Sequence, residues 1–324
     1  MSYQKACDIL KEWDVHLSSS FIAKTSEAFE TTQQELSEAL LLESEVKPLQ
    51  VNKIPPRVWM LLDHKTHLRA WSLEIDGMMM PTRGETQSVQ GKTEYKEVKT
   101  AILYLKNTPS TRYQISTLKN SVLFAPLVHG LLRFAEVRQQ DILVGLADGA
   151  RWITNLFGDL GVHKHILDVY HASSYFETIL VALGWSETAR REARSVLLRG
   201  EMNLLAWMNW YLTPEAREKI KLAVNVPAGD GVYRVPREAL AYLDNQTLLG
   251  RTNYFDFKQA GFEVIGSGEV EGANKSVLVA RLKIGGARWG CGGDGKAFAR
   301  GVSACVRKII DFDSVRLTAF PKAA

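Results

Sequence analysis

A chain of 324 residues with 46% hydrophobic and 23% charged side chains has enough apolar material for a large core, which excludes a disordered or fibrous protein. No apolar run approaches the ~20 residues of a membrane span, and the opening MSYQKACDIL lacks the apolar stretch of a signal peptide, so a soluble cytoplasmic protein is expected. Cys7, Cys291 and Cys305 form no CxxC pair, which leaves no disulfide framework and no zinc-ribbon spacing.

The net charge of +4 is unevenly distributed. Residues 1–50 carry four Lys/Arg and nine Asp/Glu, whereas residues 275–324 carry ten Lys/Arg and three Asp/Glu. The basic end suits a polyanion, because phosphate contacts gain free energy by releasing counterions. A soluble helix with a basic face gives the same count, and charge alone does not choose between the two.

In chain order, residues 2–45 read as helices, with Ser18-Ser19-Ser20 capping the second. Two helices and a short turn allow a helix-turn-helix, but the acidic balance favours bundling or dimerisation for this 1–50 region. Pro55-Pro56 exclude helix from a linker at 49–56. From residue 66 the period becomes two: Trp71, Leu73 and Ile75 share one strand face, Ser72, Glu74 and Asp76 the other. Asp76 and Gly77 are expected to close that strand, MMMPTR to form a second, and KEVKTAILYLK (96–106) a third. Leu118, Val122, Leu123, Leu127, Leu131 and Phe134 then predict a helix within 115–140. The apolar run Ile142 to Ala147 suits a strand covered on both faces, with Asp148 at its end. A short helix from Arg151 to Phe157 leads to HILDVYH, a buried strand expected to end near Asp168 and His171.

Three antiparallel strands, helix, strand, helix, strand is the element order of an RNase H-like α/β fold. The first part of that core spans 66–171, and the mostly helical stretch 172–262 reads as an all-α insertion. Residues 263–310 then supply the final core helix and a basic segment, and 311–324 a tail. Within the insertion, Trp207, Trp210 and Tyr211 at helical spacing read as core packing before base stacking. His163, His165 and His171 lack a completing ligand set for zinc. The glycines of GARWGCGGDGKAFARG do not follow the phosphate-loop order, and DFDSV (311–315) reads as a surface loop.

Asp76 and Asp148 at strand ends and Glu271 in the helix after the Gly266-Ser267-Gly268 turn are the acids that this order can bring together. Clustered carboxylates repel unless cations neutralise them, and hard oxygen donors select Mg²⁺ or Mn²⁺. Two such ions would stabilise the attacking and leaving oxygens of a displacement at phosphorus. Lys275, Leu278 and Leu282 continue a helical stripe from Glu271, which turns Glu271 toward the body and Glu269 elsewhere. For a lone glutamate, stabilisation of the helix N-terminus would be a sufficient explanation. Asp168 and His171 are supporting candidates, with a strand-to-helix cap as the rival role.

IDG (75–77), EYKEVKTAILY (94–104), ADGARW (147–152), ILDVYH (166–171), GSGEVEGANK and RLKIGGARW within 266–289 together resemble bacterial insertion-sequence DDE transposases. Among these the motifs resemble the ISKra group, which is similar to the Mutator-like transposases. The resemblance covers most of 66–300 and implies cleavage of double-stranded DNA at transposon ends and transfer of the 3′-hydroxyl to target DNA. By motif it implies a catalytic and metal-binding triad of Asp76, Asp148 and Glu271 with two Mg²⁺ or Mn²⁺ ions. It also implies a homodimer when assembled on DNA, a nucleoid-associated location and no membrane. Lys275, Arg281, Lys283, Arg288 and Trp289 are the expected DNA-binding residues. Members of this group usually have a longer N-terminal DNA-binding part, often with metal-binding cysteines, which has no counterpart in this sequence. That departure keeps open a second expectation, a transposase-derived DNA-binding protein without catalytic activity.

Overall fold

The computed structural model describes residues 69–83, 94–106, 112–224, 226–227, 233–279 and 289–290, with isolated positions at 7, 8, 11, 18 and 20. The N-terminal helices are otherwise outside this set, as are the 49–56 linker and the 311–324 tail.

Strands β1 (Ala70–Arg83), β2 (Glu94–Leu105) and β3 (Arg112–Thr117) form an antiparallel meander. Helix α1 (Ser121–Phe134) leads to β4 (Ile142–Ala147), α2 (Arg151–Asp159) and β5 (Lys164–Leu167). The sheet order is β3-β2-β1-β4-β5, with β1, β4 and β5 parallel. This mixed five-strand order flanked by helices is the RNase H-like fold.

The sheet departs from the sequence expectation in two places. MMMPTR is not a separate strand but the second half of β1, whose fourteen residues run through Gly77 and Pro81. Pairing with β4 ends at Ile75 and, among the described residues, that edge is next paired only at Thr82 by β8, so Pro81 falls on an edge stretch between the two partners, where a proline can be accommodated. The third strand of the meander is instead RYQIST, and α1 starts only at Ser121, where the Asn120 side chain accepts the Leu123 amide at 3.0 Å. A two-residue strand β8 (Trp289–Gly290) runs parallel to the end of β1, with Trp289 opposite Thr82.

Alternation along β1 divides the core. Trp71, Leu73 and Ile75 are buried beneath Phe124, Leu127 and Leu131 of α1 and Leu156 and Phe157 of α2. Burial of each such aliphatic side chain is worth about 1.5–3 kcal/mol. In β4, Ile142, Val144 and Leu146 join the opposite core while Leu143 and Ala147 join this one, which accounts for the uninterrupted apolar run. Asp141, at the start of β4, accepts from Arg69, the Trp71 indole and the Arg138 amide, a structural acid tying β4 to β1.

Beyond β5 come α3 (Val169–Leu183), α4 (Glu187–Leu198), α5 (Leu204–Tyr211) and α6 (Pro214–Leu222). A minimal hairpin of β6 (Val226–Pro227) and β7 (Tyr233–Arg234), then α7 (Pro236–Leu248) and α8 (Tyr254–Gln259), complete this helical part. α3 crosses the expected 171/172 boundary. LLAWMNWYLTPEAREKIKLA divides into two helices because Thr213 caps α6 and Pro214 occupies its first turn. Trp207 is buried edge-on against Phe176, with ring centroids 4.6 Å apart, whereas Trp210 is 79% exposed. The turn between α7 and α8 also reaches the edge of the sheet: the Leu167 amide of β5 donates to the Arg251 carbonyl at 3.0 Å. Among the described residues no helix is long and apolar enough to cross a membrane.

Candidate active site

Asp76 and Asp148 owe their proximity to strand register. Ile75 lies opposite Ala147 in the parallel β1–β4 pair, so the next residue of each strand emerges from the same end of that ladder. Asp76 does not close β1, as expected from Gly77, but sits where β4 leaves it. Asp148 Oδ1 accepts the Ala150 amide at 2.9 Å, and Asp76 Oδ1 accepts the Gly77 amide at 2.8 Å. Burial raises the Asp76 pKa above the ordinary carboxyl range. The Asn274 amide opposes that rise, while the charges of Asp148 and Glu271 add to it. Three acids from distant parts of the sequence thus share one electrostatic environment.

Helix α9 (Gly268–Ala273) carries Glu271 and continues as a π-helical turn, Asn274–Val279. Two buried acids hold its entrance. Asp168 accepts the Tyr170 and His171 amides of α3 at 3.2 and 3.1 Å and the Ser267 amide at 3.0 Å. Glu74 accepts the Tyr104 hydroxyl at 2.6 Å and the Val270 amide at 2.8 Å. Val270 and Ala273 then bury against Ile102 and Tyr104 of β2. Gly266 is required in this approach, since a Cβ there would lie 2.9 Å from the Tyr170 ring and 3.2 Å from Asp168 Oδ1.

The buried stripe of this helix is Val270, Ala273, Asn274 and Leu278, not the Glu271, Lys275, Leu278 line expected from regular 3.6-residue spacing. The π-helical turn alters that spacing from Asn274 onward. Glu271 lies at the margin, 36% exposed, and pairs with Lys275 at 2.9 Å. Glu269 diverges from it and pairs with Arg112 of β3.

The strand at HILDVYH ends at Leu167, because Asp168 caps α3, and His171 lies in the first turn of that helix. The His171 ring sits against Tyr175 and Tyr242, which stack on each other with centroids 4.3 Å apart. The Tyr242 hydroxyl accepts the Gly149 amide at 3.1 Å, so α7 braces the loop that presents Asp148. His163 accepts the Leu143 amide, and His165 packs edge-on against Phe157. Burial, aided by Arg251, lowers the His165 pKa to about 3. The three histidines therefore serve separate neighbours.

Among the described residues, no three His, Cys, Asp or Glu side chains are grouped closely enough to hold one ion as they stand. The donor chemistry nonetheless suits a hard divalent cation: Asp76 and Asp148 offer carboxylate oxygens from the same end of the β1–β4 ladder, and the buried Oδ1 of Asn274 has no hydrogen-bond partner. Glu271 is engaged in an exposed i,i+4 pair with Lys275, an interaction worth about 0.3–0.5 kcal/mol.

Of the expected DNA-binding residues, Lys275 is exposed and Trp289 enters the sheet backbone in β8. Arg281, Lys283 and Arg288 lie outside the described residues. Sequence pattern does not single out Glu74 or Asn274. Glu74 carried one signal, its position on the same face of β1 as Asp76.

No protein-family model matches this chain, and no curated protein is significantly similar to it. Among solved structures, the Drosophila P element transposase strand transfer complex aligns over 86% of this chain and 92% of that chain, with 9% identity and a TM-score of 0.32.

Proposed function

We propose that the protein is a DDE-type DNA transposase in which Asp76, Asp148 and Glu271 hold two Mg²⁺ or Mn²⁺ ions. It cleaves double-stranded DNA at transposon ends and transfers the 3′-hydroxyl to target DNA. The observation that carries this reading is the register of β1 and β4, Ile75 opposite Ala147. That register supports adjacent Asp76 and Asp148 carboxylates, to which a helix tethered at Glu74 and Asp168 adds Glu271. The ordered motifs from IDG to GSGEVEGANK support the same assignment.

When bound, such a metal pair supplies charge stabilisation to the attacking and leaving oxygens of the displacement. The chain's own contribution is positional. β1 and β4 fix two acids, Asp168 and Glu74 fix the helix bearing the third, and α7 holds the Asp148 loop through Tyr242. The basic C-terminal segment, with Lys275, Arg281, Lys283, Arg288 and Trp289, meets the DNA backbone, and two chains pair when assembled on DNA.

The test is nicking of duplex DNA carrying the sequences that flank the gene, with Mg²⁺, Mn²⁺ or EDTA. Metal-dependent nicking that Asp76→Asn and Asp148→Asn each abolish, with DNA binding retained, is the expected result. DNA binding with no nicking in either metal would replace this reading by that of an inactive transposase-derived DNA-binding protein.

A further inference from the structure

We propose that Asn274 is a further residue of this site, its Nδ2 orienting Asp76 and its Oδ1 serving as a neutral oxygen ligand for the cation that Asp76 holds. The inference rests on the carboxylate reading above. Three observations bear on it. Asn274 Nδ2 donates to Asp76 Oδ2 at 2.7 Å, across 198 positions of sequence. Asn274 is only 3% exposed, so water does not freely satisfy its side chain. Its Oδ1 is buried without a hydrogen-bond partner, whereas buried polar atoms in folded proteins are nearly always paired.

Both atoms belong to one planar amide, so the orphan oxygen also lies beside the Asp76 carboxylate. The amide has little freedom to turn away. Its backbone is the junction between α9 and the π-helical turn, and π-helical turns occur often at functional sites. The helix before it is fixed by Glu74 at Val270 and by Asp168 at Ser267. An amide also suits the charge balance of the site. Asp148 and Glu271 already repel charge on Asp76, and a fourth carboxylate would add to that repulsion. A neutral oxygen adds a hard donor without it.

The experiment measures Mn²⁺ affinity of the full chain without DNA, from the free-Mn²⁺ electron paramagnetic resonance signal. Nicking rate and unfolding temperature are measured in parallel. Asn274→Ala removes both atoms and leaves a good helix former. Its Mn²⁺ affinity is expected to fall about tenfold or more, with nicking partly restored by excess Mn²⁺; loss of the bond to Asp76 lowers the unfolding temperature modestly, and Mn²⁺ affinity is compared at a temperature where both chains are folded. Asn274→Asp keeps the oxygen and the size but loses the donor, and is expected to retain Mn²⁺ binding. Equal Mn²⁺ affinity in Asn274→Ala and the parent would overturn the inference, and so would loss in Asn274→Asp as large as in Asn274→Ala. If the parent binds Mn²⁺ and Asp76→Asn abolishes binding while Asn274→Ala does not, the Asn274 assignment alone fails. A parent chain that binds no Mn²⁺ would remove the carboxylate reading with it.

Discussion

The Val270 amide meets the Glu74 carboxylate at 2.8 Å although 196 positions separate the two residues. This bond docks the first turn of α9 on the meander, and the acid that makes it is fully buried. Burial raises the Glu74 pKa from 4.5 to about 7, against the lowering effect of Tyr104 and Val270 and with a smaller push from Glu269 and Asp168. The folded chain therefore keeps a proton there that the unfolded chain releases. The stability tied to Glu74 is fully present below pH 4.5 and lost as pH rises through about 7. A gap of roughly 2.5 pH units corresponds to about 3 kcal/mol. Glu74→Gln removes this titration, so parent and variant should diverge by that order between pH 5 and pH 8 in urea unfolding. Parallel pH profiles would show that Glu74 is already ionised in the fold.

Glu271→Gln separates chemistry from helix stability. The change keeps size and hydrogen bonding but removes a negative charge from the proposed metal site. Loss of such an electrostatic contribution costs on the order of 10² in rate or more, and DNA affinity should hold or rise. A residue that only stabilises a helix start would lose at most about 1 kcal/mol and leave nicking intact. Cleavage of a pre-nicked end duplex in Mg²⁺ and Mn²⁺, with binding recorded alongside, decides. Near-normal cleavage would make Glu269 the next acid to test.

Asp168 has two duties, capping α3 and holding the Ser267 amide. Asp168→Ala should lose about 0.5–2 kcal/mol of stability from the cap alone and should slow nicking by loosening the approach to Glu271. Asp168→Asn, itself a capable cap, should lose less stability. Denaturation midpoints with nicking rates check both. Stability loss with an unchanged nicking rate would confine Asp168 to the α3 cap.

Replacing Lys275, Arg281, Lys283 and Arg288 together with alanine should weaken DNA binding regardless of sequence. It should also flatten the dependence of log affinity on log salt, by up to about 0.9 for each phosphate that is no longer neutralised. Titrations at several salt concentrations measure this. An unchanged slope would place the DNA surface elsewhere.

What the sequence disclosed follows from the range of the forces involved. β4 was legible because helices cover both its faces, leaving six apolar residues in a row. Asp148 was legible as the polar residue that ends the run. Gly77 and Pro81 are local breaking signals that divide β1 in the sequence, and the strand tolerates them because they fall between the end of β4 pairing at Ile75 and the start of β8 pairing at Thr82. β3 is six residues long and adjoins a helix whose apolar spacing overran it. Glu74 and Asn274 act through partners almost two hundred positions away, which no local pattern announces. Glu271 was expected in the right helix on the wrong stripe, because a π-helical turn leaves no signature in residue spacing.

The Leu167-to-Arg251 hydrogen bond gives the turn between α7 and α8 a second role, that of closing part of a sheet edge. An uncovered β5 would present unpaired amides and carbonyls to any other chain, the usual route to edge-to-edge aggregation. A minimal catalytic core made by replacing 172–262 with a short linker would therefore lose solubility along with the Tyr242 brace on Gly149. Loop-shortening that spares 246–253 is the safer trimming strategy, since it keeps the strand's cover in place.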